Sequence, residues 1–462
     1  MPRPFLFTRS LLIAVGKRPK LICGLIGSYM EWLAIVIPLA GMILFLLMGV
    51  KIFVALGFWA VIGYAMVTSW DLAFSRLALV GYHQICNYAY SPLILFILTG
   101  EIIVFSGIGS DLYEAMHKWF GQVPGGLAIA STVACALFAA ISGMSVAGAV
   151  TIGLIAIPEM RQRGYSKPLA TGAVIGSGTL AIMIPPSFDF IAYSIMARQS
   201  IGEMFIAGVV PGIIEGLIII GIIMGWAKIH PKAAPRLAAV PWKQKLISLK
   251  AVLPVVGLLI FILGSIYTGI ATPTEAAGVS VIVALIITAF YRKLTWRNLF
   301  TALIHTVTTS GFIFIILIVA LFFGYYLTIT GVTRMLTSAV MASGFHPKVI
   351  MLFIMLLLAM LGCVLDPGSM LFITTPILVP IVSALGFDLV WYGVVLVIAI
   401  EMGLITPPVG IQLYVIQGIV PDIPIGDIIR GSIPFMMENV VTLLLLLFFP
   451  QIALWLPRTM MH

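Results

Sequence analysis

The chain has 462 residues, of which 61% are hydrophobic and only 9% are charged. This composition excludes a soluble globular protein and predicts roughly ten to twelve membrane crossings of about 20 residues each. The formal net charge of +9 does not indicate a nucleic-acid partner, because the basic residues are in short loops between apolar segments.

The N-terminal extension, residues 1–30, carries five basic residues before residue 21 and precedes the first clearly apolar segment. It is an extra, weakly apolar crossing at 11–29, an amphipathic arm, or an upstream false start ahead of Met30. Ordinary spans are predicted at 31–50, 52–70, 91–106, 203–226, 251–270, 275–291, 302–327 and 434–456. A basic linker, 227–250, joins the two halves, and 457–462 form a short tail.

Two apolar stretches are interrupted by small or polar residues and predict re-entrant hairpins. The first, 127–158, has its tip at 142–145, and the second, 347–385, has its tip at 366–369. Both arms of the first stretch, 127–141 and 145–158, are too short to cross a bilayer, and the second stretch is its counterpart in the second half of the chain. We therefore expect each tip to stop partway through the membrane.

A broken helix follows each hairpin, at 168–198 and at 388–417. The breaks are Pro185-Pro186 and Pro407-Pro408, because proline lacks an N–H group and its ring clashes with the preceding helical turn. Backbone carbonyls freed in this way are tolerated in a membrane only where they are buried in protein or line a cavity.

The two halves of the chain, 31–226 and 251–456, are related by an internal repeat. A shift of 222 to 224 positions aligns the double prolines and also Glu215 with Glu438. Each half has five predicted crossings, and an odd number places the halves in opposite orientations. The resulting topology puts fifteen loop Lys and Arg residues in the cytoplasm and five outside, as the positive-inside rule requires. The predicted fold is therefore an all-α membrane protein built from inverted repeats.

A hard cation such as Na⁺ prefers oxygen ligands, which the end of a stopped helix offers as backbone carbonyls beside hydroxyl groups. The candidate cation ligands of the first half are Ser142, Gly143, Ser145, Ser177, Gly178 and Thr179. Those of the second half are Asp366, Gly368, Ser369, Gly403 and Thr406. Asp366 is equally well explained as an N-cap of the next helix. Small residues also allow close helix packing, the explanation we favour for Gly153, Gly172 and Gly176.

The half-helices after the breaks direct their positive N-terminal ends into the same region, which suits an anionic substrate. The candidate substrate-contacting residues are Pro185, Pro186, Ser187, Asp189, Tyr193, Pro407, Pro408, Gly410 and Gln412. Asp189 would repel an anion unless it is paired or protonated. Glu215 and Glu438 are interpreted as residues of the scaffold or of a subunit contact, and Glu101 and Glu401 stay ambiguous.

Recognisable motifs lie at 122–127, 141–143, 163–165, 184–187, 206–208, 365–367, 375–378 and above all at 401–410, which reads EMGLITPPVG. In these segments the sequence resembles the large membrane subunit of tripartite ATP-independent periplasmic (TRAP) transporters. The matching segments are collinear over about 31–456. This chain departs from the usual pattern at Met144, Gly148, Asp189 and Gln412.

The resemblance implies Na⁺-driven uptake of an organic acid across a bacterial inner membrane, in the elevator-type fold of the ion transporter superfamily. It implies Na⁺ as the coupling ion and no organic cofactor. It also implies two partners, a small membrane subunit of four helices and a periplasmic substrate-binding protein. A stand-alone transporter of the same superfamily, driven by Na⁺ or protons, is the alternative.

An enzyme is not expected. The sequence has no Walker A, GxGxxG or HExxH motif, and its six histidines are far in sequence from both breaks.

Overall fold

A computed structural model describes residues 19–143 and 145–460, with the side chains of 19–31 and of residue 142 excepted. The described residues form helices and short 3₁₀ turns and contain no strand. Six of the described helices are long and apolar enough to cross a membrane, or eight spans result if each of two sharply bent helix pairs counts as one. The predicted all-helical fold is confirmed.

The contacts divide the described chain into two compact units. The small unit comprises residues 19–86 and 315–338, and the large unit comprises 87–314 and 339–460. These units differ from the sequence repeats, because each repeat contributes to both.

The small unit contains Pro19–Leu47, Ile52–Val67, Trp70–Ile85 and the C-terminal part of Trp296–Ile329. The Tyr326 hydroxyl donates a hydrogen bond to the carbonyl oxygen of Ala34 over 2.8 Å and so joins the first and last of these helices. The sequence analysis did not predict Trp70–Ile85, because its apolar residues are interspersed with polar ones. The Ser69 hydroxyl caps this helix by accepting from the Leu72 N–H group at 3.3 Å.

The N-terminal extension is described only from residue 19, where it continues without interruption into Pro19–Leu47. Residues 11–18 of the possible extra crossing at 11–29 therefore fall outside the described residues, and the crossing stays a prediction. The linker is shorter than predicted. Helix Ile201–Ile229 extends into it from one side and Trp242–Tyr267 from the other.

The large unit holds both predicted hairpins and both predicted broken helices. The helices of this unit are Ser91–Val104, Ile108–Phe120, Gly126–Ser142, Ser145–Gln162, Lys167–Met183, Phe188–Ala197, Ile201–Ile229, Trp242–Tyr267, Pro273–Phe290, the N-terminal part of Trp296–Ile329, Pro347–Gly362, Pro367–Ala384, Leu389–Ile405, Ile411–Ile419, Ile425–Phe448 and Gln451–Leu454. Helix Val332–Ala342 crosses from the small unit into the large unit at Ala339.

The first hairpin consists of the consecutive helices Gly126–Ser142 and Ser145–Gln162, which pack against each other. The second hairpin is the pair Pro347–Gly362 and Pro367–Ala384, which also pack together. Whether these pairs are re-entrant in a bilayer stays a prediction.

The first broken helix consists of Lys167–Met183 and Phe188–Ala197, bent by 41° at the break. The second consists of Leu389–Ile405 and Ile411–Ile419. The interruptions lie at the double prolines, and both Pro–Pro peptide bonds are cis.

Each hairpin packs against the first segment of the broken helix that follows it. The two repeats also exchange contacts. Phe188–Ala197 packs on the second arm of the second hairpin, while Ile411–Ile419 packs on the second arm of the first hairpin. The first segments of the broken helices contact each other as well. This exchange brings candidate residues from both repeats together.

Candidate functional site

The tip of the first hairpin contacts the first break. Gly143 ends its helix in the left-handed region, at φ 67°, where glycine is favoured. Its carbonyl oxygen accepts a hydrogen bond from the Phe188 N–H group at 3.4 Å. A Cβ atom at residue 143 would lie 3.0 Å from the carbonyl oxygen of Pro186. The close approach of two backbones explains why the tip needs a glycine.

Ser145 joins the first hairpin to both broken helices. Its hydroxyl oxygen lies 2.9 Å from the carbonyl oxygen of Gly178 and 3.1 Å from Oε2 of Glu401. The hydroxyl has one proton, so it can donate to one of these oxygens at a time. Ser145 is 2% exposed and Glu401 is 1% exposed, so the contact is removed from solvent.

The other hydroxyl groups near the first break have partners inside the protein. The Ser177 hydroxyl bonds to Thr132 Oγ1 over 2.9 Å and also donates to the Ala173 carbonyl. The Thr179 hydroxyl donates to the carbonyl of Gly176 over 2.7 Å. These groups keep oxygen lone pairs that can face a cation. The backbone of Ser142 ends the first hairpin arm, while its side chain lies outside the described residues.

At the second tip, Asp366 is the N-cap of Pro367–Ala384. Its carboxylate accepts hydrogen bonds from the Ser369 N–H group, at 3.0 Å, and from the Ser369 hydroxyl. The capping role proposed for Asp366 is therefore seen in the structure. Its role as a cation ligand stays a prediction, as do those of Gly368 and Ser369.

The second break contacts the second hairpin. The Val409 N–H group donates to the Cys363 carbonyl over 3.3 Å. The Thr406 hydroxyl donates to the Met402 carbonyl over 2.5 Å. A Cβ atom on Gly403 would lie 2.4 Å from the Cα atom of Gly362, so Gly403 is also a close helix-packing position.

The two breaks differ in exposure within this chain. Pro185, Pro186 and Ser187 are buried, whereas Pro408 and Val409 are exposed, Val409 by 40%. Ser187 caps the half-helix Phe188–Ala197 through its side chain. The N-cap residue of Ile411–Ile419 is Gly410, which has no side chain that could accept a capping hydrogen bond.

Tyr193 does not point to a tip. Its hydroxyl donates to the Leu389 carbonyl over 2.7 Å, and its ring packs edge-on against Tyr392. It therefore ties the end of the first broken helix to the beginning of the second. Among the other substrate candidates, Pro186 approaches the first tip at Gly143 and Gln412 packs against Gly178.

Five buried polar atoms near the tips have no hydrogen-bond partner among the described residues. They are both carboxylate oxygens of Asp189, Oε1 of Glu401, and both amide atoms of Gln412. The Gln412 amide packs against Gly178, where an added Cβ atom would lie 1.8 Å from Nε2. Leaving one buried polar atom unpaired costs about 1–3 kcal/mol. Such an unpaired set is typical of a functional site.

Glu401 could not be assigned a role from the sequence, although it lies close to a break. The only available signal was an acid within an otherwise apolar segment, and Glu215, Glu438 and Glu101 share that signal. The structure separates them. Glu101 pairs with His305 at 3.2 Å, and Glu215 and Glu438 are buried on helices outside the tips and breaks. Their burial argues against the subunit-contact interpretation.

The packing roles of three glycines are confirmed. Gly172 contacts the backbone of Gly431, Gly176 contacts Phe435, and Gly153 contacts Val174. No group of three or more His, Cys, Asp or Glu side chains in the described parts of the chain could hold a metal ion. A cation here would need carbonyl, hydroxyl and amide oxygens as well.

These features define an all-helical membrane protein whose two helix breaks meet polar hairpin tips. The family described as "Tripartite ATP-independent periplasmic transporter, DctM component" matches residues 39–452. The chain belongs to this family of TRAP transporter large permeases, and the resemblance seen in the sequence is confirmed.

Relatives agree with this assignment. The C4-dicarboxylate TRAP transporter large permease protein DctM of Pseudomonas aeruginosa is 34% identical over 80% of this chain and 87% of that protein. The sialic acid TRAP transporter large permease protein SiaM of Vibrio cholerae is 30% identical over 94% of this chain and 98% of that protein.

A likeness at the level of the fold extends to a solved structure, the YdaH transporter of Alcanivorax borkumensis. It has a TM-score of 0.61 at 12% identity and covers 83% of this chain and 88% of that chain. At this identity the likeness concerns the fold alone.

Proposed function

We propose that this TRAP large permease imports an organic acid across a bacterial inner membrane and is driven by Na⁺. The observation that carries the proposal is the position of Ser145, whose hydroxyl contacts the first broken helix at Gly178 and the second at Glu401. A cation bound beside it would stabilise one arrangement of both repeats. Ion binding would then be coupled to the position of the substrate.

The proposed Na⁺ sites are the two tip-and-break junctions. The first combines Gly143 and Ser145 with Ser177, Gly178 and Thr179, and includes the backbone of residue 142. The second combines the 366–369 tip with Gly403 and Thr406. The carbonyl and hydroxyl oxygens of both sets are suitable ligands for a hard cation.

The proposed substrate lies between the half-helix N-termini at Ser187 and Gly410. Neither break has a Lys or Arg residue, so a carboxylate would be bound by helix ends, hydroxyl groups and the cation. The named substrates of the two relatives, a C4-dicarboxylate and sialic acid, are both organic acids. This agreement supports the class of substrate proposed here.

The proposed moving body consists of both hairpins and both broken helices, in an elevator-type mechanism. The packing of these elements supports a single moving body, because the half-helix after each break packs on the hairpin of the other repeat and would move with it. The proposed partners are a small four-helix membrane subunit and a periplasmic binding protein. The proposal assigns no catalytic residue to the chain.

Reconstitution into proteoliposomes tests the proposal. The permease is combined with the proposed partners, a small four-helix membrane protein and a periplasmic binding protein. Uptake of labelled succinate and of labelled N-acetylneuraminate is measured with Na⁺ or K⁺ outside at clamped membrane potential. We expect uptake of one acid that requires Na⁺ and the binding protein.

Two results would contradict parts of the proposal. Full uptake without the binding protein would favour the stand-alone transporter. Undiminished uptake with K⁺ in place of Na⁺ would exclude Na⁺ coupling, and a dependence on an inward pH gradient would then indicate proton coupling.

A further inference from the structure

We infer that Asp189, Glu401 and Gln412 are ligands of the first cation site, which is therefore built from the side chains of both repeats. The inference rests on the proposed function for the identity of the cation, Na⁺. Together with Ser145 and Gly178, these residues are called the crossing cluster, because Gly178 and Asp189 belong to the first broken helix, Glu401 and Gln412 belong to the second, and Ser145 contacts both.

Direct contacts connect four of the five residues of the crossing cluster, and Asp189 is placed beside them by its neighbour Phe188. Ser145 bridges Gly178 and Glu401 at 2.9 and 3.1 Å, and Gly178 packs against the Gln412 amide. Asp189 lies one residue after Phe188, whose N–H group bonds to the first tip. Asp189 is also near enough to Glu401 to interact with it electrostatically. The cluster thus draws residues from the first hairpin and both broken helices.

The repeat gives these residues equivalent positions. Asp189 and Gln412 are each the second residue of the half-helix after a break, since these helices begin at Phe188 and Ile411. Glu401 is four residues before the end of its helix, as Thr179 is in the first repeat. One pair of equivalent positions, Asp189 and Gln412, therefore belongs to the cluster, and Thr179, the equivalent of Glu401, is the neighbour of its member Gly178.

The unpaired atoms favour a cation as the occupant. Four buried oxygens lack a partner among the described residues: Oδ1 and Oδ2 of Asp189, Oε1 of Glu401 and Oε1 of Gln412. Asp189 and Gln412 are 1% and 0% exposed. Two carboxylates repel an anion, and four acceptor oxygens match a hard cation that prefers oxygen ligands.

No basic side chain of the described chain takes the place of that cation. The ion pairs of the described residues involve Glu101, Glu114, Glu159 and Asp422 as their acids. Asp189 and Glu401 take part in none of them. Acids buried in this way inside a membrane protein typically mark an ion site or pathway.

Sodium-dependent stability of the purified protein tests the inference without any substrate. Wild type, Asp189→Asn and Glu401→Gln are placed in lipid nanodiscs, and thermal unfolding is followed by tryptophan fluorescence. NaCl replaces choline chloride at constant ionic strength, and ²²Na⁺ binding is measured by scintillation proximity. Glu438→Gln is the matched control, because Glu438 is 1% exposed with an unpaired Oε2 but lies outside the crossing cluster.

We expect Asp189→Asn and Glu401→Gln to raise the half-saturating Na⁺ concentration about 10- to 100-fold, since each removes a charged ligand. Glu438→Gln should stay within about twofold of wild type. Wild-type Na⁺ titrations in both Asp189→Asn and Glu401→Gln would overturn the inference and leave the proposed function intact. A wild type that neither binds ²²Na⁺ nor is stabilised by Na⁺ would refute Na⁺ coupling itself, and the inference with it.

If either acid variant fails to fold, Gln412→Ala and Gly178→Ala replace it. The first removes the amide, and the second adds a Cβ atom that would lie 1.8 Å from Nε2 and displace it. Both should raise the half-saturating Na⁺ concentration, and unchanged titrations in both would overturn the inference.

Discussion

Ser145→Ala is the most direct test of how the first hairpin is joined to the broken helices. The substitution removes the hydroxyl that lies 2.9 Å from the Gly178 carbonyl and 3.1 Å from the Glu401 carboxylate. Both partners are buried, so neither gains a hydrogen bond to water in exchange. A hydrogen bond to a charged group contributes about 1.5–3 kcal/mol, which corresponds to an equilibrium effect of about 10- to 100-fold.

If Ser145 is also a Na⁺ ligand, the substitution will weaken Na⁺ binding more than it lowers the stability of the fold. We expect Ser145→Ala to raise the Na⁺ concentration for half-maximal uptake about tenfold or more in the proteoliposome assay. The thermal stability measured without Na⁺ should fall by a few degrees. Measuring both quantities separates ion binding from folding.

Ser310→Ala is the control for this substitution. Ser310 is 5% exposed in the large unit, and its hydroxyl has no hydrogen-bond partner in the described structure. It should therefore behave like wild type in both assays. A Ser145→Ala protein with the same Na⁺ dependence as Ser310→Ala would refute the reasoning.

Three further predictions concern packing, capping and pH. Gly172→Ala should lower the free energy of unfolding by about 1–3 kcal/mol, because its Cβ atom would lie 2.1 Å from the Gly431 carbonyl oxygen. Gly225→Ala, which has open space around it, is the control and should leave that free energy unchanged. Asp366→Asn should keep the helix cap, whereas Asp366→Ala should lower the free energy of unfolding by about 1 kcal/mol because the cap is lost. If the Na⁺ titrations of both variants stay close to wild type, Asp366 is excluded as a charged ligand. Burial lowers the pKa of His117, so the unfolded chain binds its proton more readily and stability should fall as the pH drops below about 6.5. In His117→Gln thermal-unfolding scans between pH 7.5 and 5.5 this fall should be smaller, and an unchanged slope would contradict the assignment.

The helix breaks and the hairpin tips could be predicted from the sequence because they depend on local residue patterns. A proline pair interrupts a helix wherever it is placed, so Pro185-Pro186 and Pro407-Pro408 could be assigned to breaks without knowledge of their neighbours. Small and polar residues between two short apolar arms likewise revealed the tips at 142–145 and 366–369. The repeat then related these features to each other. Trp70–Ile85 was missed because it lacks the uniform apolar composition on which span prediction depends.

The positions of the two helix breaks follow from the sequence alone, since helix propensity and hydrophobicity act over a few residues. Which polar atoms meet depends instead on tertiary packing. Ser145 and Glu401 are 256 positions apart, and their contact depends on how one repeat packs into the other. For the same reason Tyr193 and Asp189, four residues apart on one short helix, have different surroundings. The Tyr193 hydroxyl has a backbone partner, whereas both carboxylate oxygens of Asp189 are buried with no hydrogen-bond partner among the described residues.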